Sequence, residues 1–381
     1  MMKRRTFLKI VVGGLVFSGA AAGGAGIFLH QPAFGAVPEE TPVFPDSFHY
    51  RNGAFYNTLP TPILSDGSSF AGALVRSLFA KKDRPVPPFP LPSIYVGLDS
   101  LEKSRDMAVW FGHSSFLVQM GGTRFLIDPV FSPYAAPVSF STRAFPGATP
   151  YAAADMPYID FILISHDHWD HLDYPTIMKL RHKVGHIICP LGVGAHFRRW
   201  GFAGDAIHEA DWGGTLELGK NLRVHTTEAR HYSGRSLIRN KTLWSGFLLE
   251  AGPKKLFYSG DGGYGPHFTA LGKAFGGVDV ALLDCGQYNE RWRHIHMTPE
   301  EAAQAAEDTG ARALLPAHVG KFSLARHSWD EPFRRIVSAS RNRKFHLLTP
   351  RIGEPVYMAD SLPTFPRWWE NISESIHIMG S

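Results

Sequence analysis

The chain has 381 residues, of which 44% are hydrophobic and 19% are charged, a composition typical of a globular protein with an ample core. Its formal charge of +5 arises mostly in residues 1–36, which hold four of the 39 basic residues and no acidic one, so that 35 basic and 34 acidic residues remain elsewhere. This nearly neutral remainder of the chain gives no electrostatic argument for nucleic acid or an acidic membrane as a partner. The length allows either two domains or one large α/β unit.

Residues 1–36 have the three parts of an export leader. A paired-arginine segment at 3–9 precedes a Gly- and Ala-rich apolar run at 10–29, and small residues around Ala33, Gly35 and Ala36 indicate a cleavage site. The letters RRTFLK resemble a twin-arginine signal, which implies the twin-arginine export machinery as a partner and an exported, periplasmic protein. The alternative is a permanent membrane anchor, because the apolar run is nearly long enough to cross a bilayer. The weak hydrophobicity of the run favours the signal.

Residues 37–104 form a proline-rich N-terminal arm with few strand signals. Apolar residues at helical spacing predict one helix within it, formed by Phe70, Leu74, Val75, Leu78 and Phe79. We expect the arm to pack on the domain that follows. A helix that makes peripheral contact with a membrane is the alternative, and both hold if the arm frames a lipid entrance.

The predicted catalytic domain spans residues 105–350, and a C-terminal extension follows at 351–381. Two blocks of strands with interspersed helices predict an α/β protein in which two sheets lie face to face with helices outside. Strands are predicted at 109–111, 115–120, 124–129, 159–164, 215–227, 243–250, 254–259, 278–284 and 313–316, and helices at 173–183, 191–200, 267–275 and 298–310. The last helix begins with a capping box, TPEE, that has proline at the first helical position.

A dense cluster of titratable residues follows the predicted strand at 159–164. Three histidines and two aspartates occupy residues 166–171, here called the HxHxDH loop. So much unpaired charge is unfavourable in a core, and a divalent metal removes the difficulty by taking neutral imidazoles and a carboxylate as ligands. His166 and His168 can hold one ion, and Asp170 and His171 can reach a second. A polar loop with incidental histidines is the alternative, which the density of the pattern disfavours.

Three further candidate ligands each follow a predicted strand. His231 comes after the strand that ends at residue 227, Asp261 after the strand at 254–259, and His318 after the strand at 313–316. Alone, each is more simply an ordinary loop residue. Together with the HxHxDH loop they all lie at strand exits, where the sites of α/β proteins form.

The order of these motifs along the chain resembles that in proteins of the metallo-β-lactamase fold. The resemblance implies an αββα sandwich of two mixed β-sheets with helices on the outside. Within that fold the chain resembles the N-acylphosphatidylethanolamine-hydrolysing phospholipase D branch and its bacterial relatives, over roughly residues 100–340. The matching stretches are GHSS at 112–115, IDPVF at 127–131, LISHDHWDHLDY at 163–174, YSGDGGY at 258–264, YNERW at 288–292, HMTPEEA at 296–302 and AHVGKF at 317–322.

The resemblance implies two zinc ions and distributes the ligands between them. The first zinc takes His166, His168 and His231. The second takes Asp170, His171 and His318, and Asp261 bridges the two, which lowers the repulsion between neighbouring cations. Iron or manganese would suit the same types of ligand.

Further residues have predicted roles around these metals. A water between the ions is expected to lose its proton near neutral pH and to attack a phosphodiester in line with the leaving alcohol. The catalytic residues are then Asp170, Asp261 and His296, of which His296 donates to the phosphoryl group or the leaving oxygen. Tyr288 and Arg235 are predicted to contact the substrate. Asp128 and Asp173 are candidate acceptors for ligand imidazoles, although a turn and a helix N-cap would explain them equally well.

The function expected from the resemblance is that of a dinuclear zinc phosphodiesterase of the phospholipase D type, which acts on N-acylphosphatidylethanolamine-like phospholipids through a metal-bridging hydroxide. A lactonase, a β-lactamase or a small-molecule phosphodiesterase would use the same site. A non-catalytic, metal-stabilised binding or cell-envelope protein is the alternative from another class. Its ligand set would be expected to decay, whereas every ligand position is filled here.

Overall fold

The computed structural model describes residues 31–35, 42–67, 83–138, 141–219, 221–236, 238–370 and 372. Most of the predicted leader and the predicted helix over residues 70–79 therefore lie outside the described residues. None of the helices in the described part of the chain has both the length and the apolar character that a bilayer crossing needs.

The strands form one short hairpin and two seven-stranded sheets. The hairpin pairs β1 (Tyr50–Arg51) with β2 (Ala54–Phe55). The first sheet contains β3 (Met107–Trp110), β4 (Phe116–Met120), β5 (Thr123–Ile127), β6 (Ile159–Leu163), β7 (Val184–Pro190) and β8 (Ile207–Ala210). The second contains β9 (Thr215–Glu217), β10 (Leu222–Thr227), β11 (Gly246–Ala251), β12 (Lys254–Tyr258), β13 (Val278–Asp284), β14 (Ala311–Ala317) and β15 (His346–Leu347). The last strand, β16 (Pro355–Tyr357), returns to the edge of the first sheet beside β3.

Both sheets are mixed, and their parallel halves determine where the loops meet. The strand order is β16-β3-β4-β5-β6-β7-β8 in the first sheet and β15-β14-β13-β12-β11-β10-β9 in the second. Strands β5 to β8 and strands β12 to β15 are parallel, whereas the other pairs are antiparallel. Since parallel strands end at the same edge of a sheet, the loops after β5 and β6 come together, as do the loops after β12, β13 and β14.

The two sheets enclose a shared core. Strand β4 is buried along its whole length, and alternate residues of it, such as Phe116, face the core that also contains β11 and β12 of the second sheet. The rings of Phe116 and Tyr258 lie 6.2 Å apart across this interface. This αββα arrangement confirms the fold predicted from the sequence.

Five α-helices cover the outer faces of the sheets in the described residues. Helices α1 (Tyr174–Leu180) and α2 (Gly194–Arg199) bury their apolar residues against the outer face of the first sheet. Helices α3 (His267–Phe275), α4 (Pro299–Asp308) and α5 (Glu331–Ala339) belong to the cluster that contains the second sheet. In α4 the Thr298 hydroxyl accepts from the Glu301 N–H, and the Glu301 carboxylate accepts from the Thr298 N–H, which confirms the predicted capping box.

Two segments differ from the predicted boundaries. The predicted strand at 215–227 is divided into β9 and β10 by a turn in which Gly219 and Asn221 have positive φ angles of 79° and 60°, a conformation that a continuous strand cannot contain. The predicted C-terminal extension supplies β16, and Trp368 and Trp369 are buried in the larger core cluster. The predicted boundary at residue 350 therefore divides the first sheet.

The described parts of the N-terminal segments pack on the catalytic domain. Phe55 is fully buried in a cluster with Leu243 and Trp244. Residues 31–35, which the sequence assigns to the leader, also make contacts, because the ring of Phe34 lies edge-on to Trp169 with centroids 4.9 Å apart. Cleavage after Gly35 or Ala36 would remove Phe34 and with it this contact.

Candidate metal centre

Loops at the ends of β6, β10, β12 and β14 bring the seven predicted metal ligands together. The first group comes from the HxHxDH loop and from the segment after β10. Nδ1 of His168 lies 2.8 Å from Nε2 of His166 and 3.2 Å from Nε2 of His231. These three nitrogens converge on one point, as ligation of a single cation requires.

The second group combines the end of the HxHxDH loop with the residue after β14. Oδ2 of Asp170 lies 3.6 Å from Nε2 of His171 and 3.9 Å from Nε2 of His318. The rings of His171 and His318 are stacked with centroids 5.3 Å apart, and both side chains are buried. The site therefore contains two adjacent groups of ligand atoms.

Asp261 lies between the two groups. Its Oδ2 atom is 3.1 Å from Nε2 of His171 and 3.9 Å from Nε2 of both His166 and His231. Its Oδ1 atom is 3.1 Å from Nδ1 of His318. This carboxylate touches members of both groups, which is the position that a bridging ligand would occupy.

Two features of this cluster fit a divalent cation. Nε2 of His171 and Oδ1 of Asp261 are buried and make no hydrogen bond, which is unfavourable unless another group satisfies them. Burial, followed by the charges of neighbouring imidazoles, holds the pKa values of His166 and His318 well below their usual range, so that these rings are neutral as a metal requires. A donor set of imidazole nitrogens and carboxylate oxygens suits zinc, iron or manganese.

His171 is oriented by Asp128, which follows β5. Asp128 Oδ2 accepts from Nδ1 of His171 at 2.7 Å and from the Tyr258 hydroxyl at 2.6 Å, while its Oδ1 accepts from the Ser165 N–H at 2.8 Å. Because Nδ1 is engaged, Nε2 of His171 faces Asp261. Burial alone would lower the pKa of His171, but the Asp261 and Asp170 carboxylates raise it well above its usual value.

The structure distinguishes between the two roles that the sequence left open for Asp173. It occupies the N-cap position of α1, and its carboxylate accepts from the Ser132 N–H at 3.2 Å and from the Thr176 hydroxyl. The alternative that explains it by the helix N-cap is therefore the one that fits, because the first turn of α1 directs the carboxylate toward the loop after β5. Burial raises its pKa.

His296 lies beside the cluster and forms a pair with Asp284, the last residue of β13. Nδ1 of His296 is 2.8 Å from Oδ2 of Asp284, and the His296 ring stacks on His318 at 5.0 Å. Burial raises the pKa of Asp284 to about 7 against the opposing effect of His296. Burial would lower the pKa of His296, but Asp284 raises it overall. The sequence prediction overlooked Asp284, although a carboxylate that ends a buried apolar strand was a usable signal.

His113, between β3 and β4, is a second residue that the sequence prediction did not place at the site. Its Nε2 is 2.8 Å from Oδ2 of Asp170. Its N–H donates to the Val319 carbonyl at 2.7 Å, and its carbonyl accepts from the His318 N–H at 3.1 Å. The φ angle of 56° at His113 permits this arrangement, which connects Asp170 to the backbone of His318. The signal was a histidine in a Gly-His-Ser-Ser turn directly after a strand.

A cavity of about 430 Å³ opens onto the cluster. His168, Asp170 and His296 form part of its polar floor. Apolar side chains line its walls, among them Ile63, Leu64, Trp292, Ile295 and Leu324. Arg239 also lines the cavity, with its guanidinium 5.3 Å from the ring of Tyr232. The cavity thus joins a polar, potentially metal-binding floor to an apolar wall.

Neither predicted substrate contact reaches this cavity. The Tyr288 hydroxyl donates to Glu331 at 2.8 Å, and its ring stacks on His327, so Tyr288 points away from the cluster. Arg235 is buried and donates to the carbonyls of Ala33, Asp167 and Leu172. Both predictions are wrong, because these side chains are already used to hold the surrounding loops in place.

Comparisons with known proteins agree with the fold. The family model of the beta-lactamase superfamily domain matches residues 123–319, which contain all seven predicted ligands. An uncharacterized protein of Mycobacterium tuberculosis is 38% identical over 344 residues, which cover 88% of this chain and 89% of that protein.

Two more distant similarities are relevant. The mitochondrial N-acyl-phosphatidylethanolamine-hydrolyzing phospholipase D of Saccharomyces cerevisiae is 34% identical over 237 residues, which cover 60% of this chain and 50% of that enzyme. The solved structure of Igni18, a metallo hydrolase of Ignicoccus hospitalis, has a TM-score of 0.52 at 21% identity and covers 66% of this chain and 97% of Igni18. At that level of identity, the structural similarity shows the fold alone.

Proposed function

Because the chain belongs to the β-lactamase superfamily and has the metallo-β-lactamase fold, we propose that it is a metal-dependent hydrolase. The proposed reaction is the phospholipase D cleavage of a phosphodiester in an N-acylphosphatidylethanolamine-like phospholipid, and the proposed cofactor is a pair of zinc ions. The observation that carries the proposal is the position of Asp261 between two groups of ligand atoms at the floor of a cavity.

The residues of the chain have distinct parts in this reaction. Two bound cations would supply an acidified water and polarise a phosphoryl oxygen. Asp170 and Asp261 would provide the negative charge that holding two cations close together requires. His296 has its Nδ1 engaged by Asp284, which leaves Nε2 to donate a proton to the leaving alkoxide.

The apolar walls of the cavity support the proposal that the substrate is a lipid. Ile63, Trp292 and Leu324 provide apolar surface beside the polar floor, which suits a molecule with a phosphodiester and hydrocarbon chains. The similarity to the yeast phospholipase D supports the same substrate class. Lactones, β-lactams and small phosphodiesters could reach the same floor, and the assay below separates these substrates.

The test is a product analysis with the zinc-loaded protein. N-acylphosphatidylethanolamine vesicles, bis(p-nitrophenyl) phosphate and a panel of lactones and β-lactams are incubated in isotopically labelled water. We expect N-acylethanolamine and phosphatidic acid, with one labelled oxygen in the phosphate, because water replaces the leaving alkoxide at phosphorus. Fatty acid or diacylglycerol as the product, or turnover of lactones alone, would contradict the phospholipase D assignment.

We also propose that the twin-arginine machinery exports the protein. Residues 3–9 and the uncharged run at 10–29 support this proposal. Replacing Arg4 and Arg5 together by lysine should retain the protein in the cytoplasm, whereas the unaltered chain should fractionate with the periplasm or its membranes. Equal periplasmic amounts of both forms would exclude this route.

A further inference from the structure

We propose that Asn57, in the N-terminal arm, is a positioning residue for His231, and that the arm is therefore a component of the metal centre. This inference concerns how the site is assembled and goes beyond the proposed reaction. Asn57 lies outside residues 123–319, the part of the chain that the superfamily model matches.

Asn57 engages both backbone polar groups of His231 with one side chain. Its Nδ2 donates to the His231 carbonyl at 2.7 Å, and its Oδ1 accepts from the His231 N–H at 3.0 Å. Trp244 Nε1 donates to the same Oδ1 atom at 3.1 Å and fixes the plane of the amide. Among side chains in their usual state at neutral pH, only an amide carries a donor and an acceptor on one carbon, so a residue of similar size without that amide cannot make this pair of bonds.

The backbone of His231 needs such support because it lies outside any strand. Strand β10 ends at Thr227, and within the described residues no backbone group of another residue hydrogen-bonds to the N–H or the carbonyl of His231. Asn57 supplies the two hydrogen bonds that a neighbouring strand would otherwise make. The position of the His231 backbone is thereby defined from the side of the arm.

The ring of His231 is held at a second point. Its Nδ1 donates to the Ile295 carbonyl at 2.9 Å, which leaves Nε2 to face His168 at 3.2 Å. Because Asn57 holds the backbone and Ile295 holds the ring, Nε2 of His231 is directed toward His168. Loss of the Asn57 contacts would leave the ring bond in place but allow the backbone to move away from the other ligands.

The arm itself is anchored on both sides of Asn57, so that the amide is fixed before any metal binds. On one side, Phe55 is fully buried, and its N–H donates to the Asn240 carbonyl at 2.8 Å. On the other side, the guanidinium of Arg230 donates to the Pro60 carbonyl at 2.9 Å and to the Thr61 hydroxyl at 3.0 Å. Thr61 is therefore a suitable control position, since it belongs to the same arm but does not touch His231.

The test compares Asn57→Ala with Thr61→Val in the full chain, by zinc titration against a competing chelator and by the visible absorption of the cobalt-substituted protein. We expect Asn57→Ala to weaken the affinity for one ion by about 10- to 100-fold, the range found for residues that orient ligands. The cobalt bands of that ion should also shift. The unfolding midpoint of the metal-free protein should be similar for both variants, and Thr61→Val should bind metal normally.

Two results would overturn the proposal. One is zinc affinity within about twofold of the parent in a folded Asn57→Ala variant, well below the effect expected of an orienting residue. The other is an equal loss of affinity in Thr61→Val, which would indicate general loosening of the arm. If Asn57→Ala does not fold, Asn57→Ser, which keeps one hydroxyl in place of the amide, is judged by the same two measurements.

Discussion

Replacement of Asp261 by asparagine is expected to lower kcat by more than about 100-fold, the upper end of the effects seen for residues that merely support a ligand. Oδ2 of Asp261 lies 3.9 Å from Nε2 of His166, in the first ligand group, and its Oδ1 lies 3.1 Å from Nδ1 of His318, in the second. An amide offers one neutral oxygen and an NH₂ group that cannot ligate a cation, so it cannot replace a carboxylate between two metals. The fold should persist, because the amide has nearly the same shape and the sheets pack elsewhere.

Asp279→Asn is the matched control for this variant. Asp279 lies in β13 and accepts from the Lys255 N–H and from Arg312, both at 2.9 Å, outside the metal centre. Turnover of bis(p-nitrophenyl) phosphate and metal content by elemental analysis are measured on both proteins. We expect Asp261→Asn to lose turnover and at least one ion, whereas Asp279→Asn keeps both. A normal kcat or a full metal complement in Asp261→Asn would refute the bridging position.

The parts of the fold that could be predicted are those with local signals. Apolar runs at β6, β12 and β14 lead into loops that carry histidine or aspartate, and parallel pairing places the ends of β12 and β14 at the same edge of the second sheet. The capping box at residues 298–301 predicts where helix α4 begins. Strand β16 could not be predicted, because its pairing with β3 joins residues that lie more than two hundred positions apart in the chain.

The same distinction applies to the site. The seven predicted ligands stand in local patterns that are recognisable in the sequence, and His113 and Asp284 also had local signals, each close to the end of an apolar strand. Asn57, in contrast, acquires its role only through His231, which lies 174 positions away in the chain. Arg235 and Tyr288 were assigned to the substrate because they neighbour site motifs, but a one-dimensional pattern does not show the direction of a side chain. In the structure, Arg235 donates hydrogen bonds to the carbonyl of Asp167, in the HxHxDH loop, and to that of Leu172, directly after the loop.

Removal of the metals by chelation is expected to abolish activity and to leave a folded protein whose stability falls on acidification below about pH 6.5. In the metal-free cluster, burial first and neighbouring imidazoles second hold the pKa values of His166 and His318 well below their usual range, and burial foremost lowers that of His168 to about 4. The unfolded chain takes up these protons near pH 6.5, whereas the folded chain does not. Below that pH the unfolded state therefore binds more protons, and the free energy of unfolding decreases down to about pH 4.

Two histidines have the opposite effect on how stability depends on pH. His171 and His296 have pKa values raised by Asp261 and Asp284 respectively, against the effect of burial, so their stabilising contribution is complete at low pH and is lost as the pH rises through those values. They are outnumbered by His166, His168, His231 and His318, whose pKa values are lowered. The urea midpoint of the chelated protein should fall as the pH is lowered from about 8 to about 5. Added zinc should raise the midpoint most at the alkaline end of this range, where the ligands are already deprotonated. A midpoint of the chelated protein that does not change over this range, or full turnover after chelation, would show that these imidazoles do not form the buried, metal-dependent cluster described above.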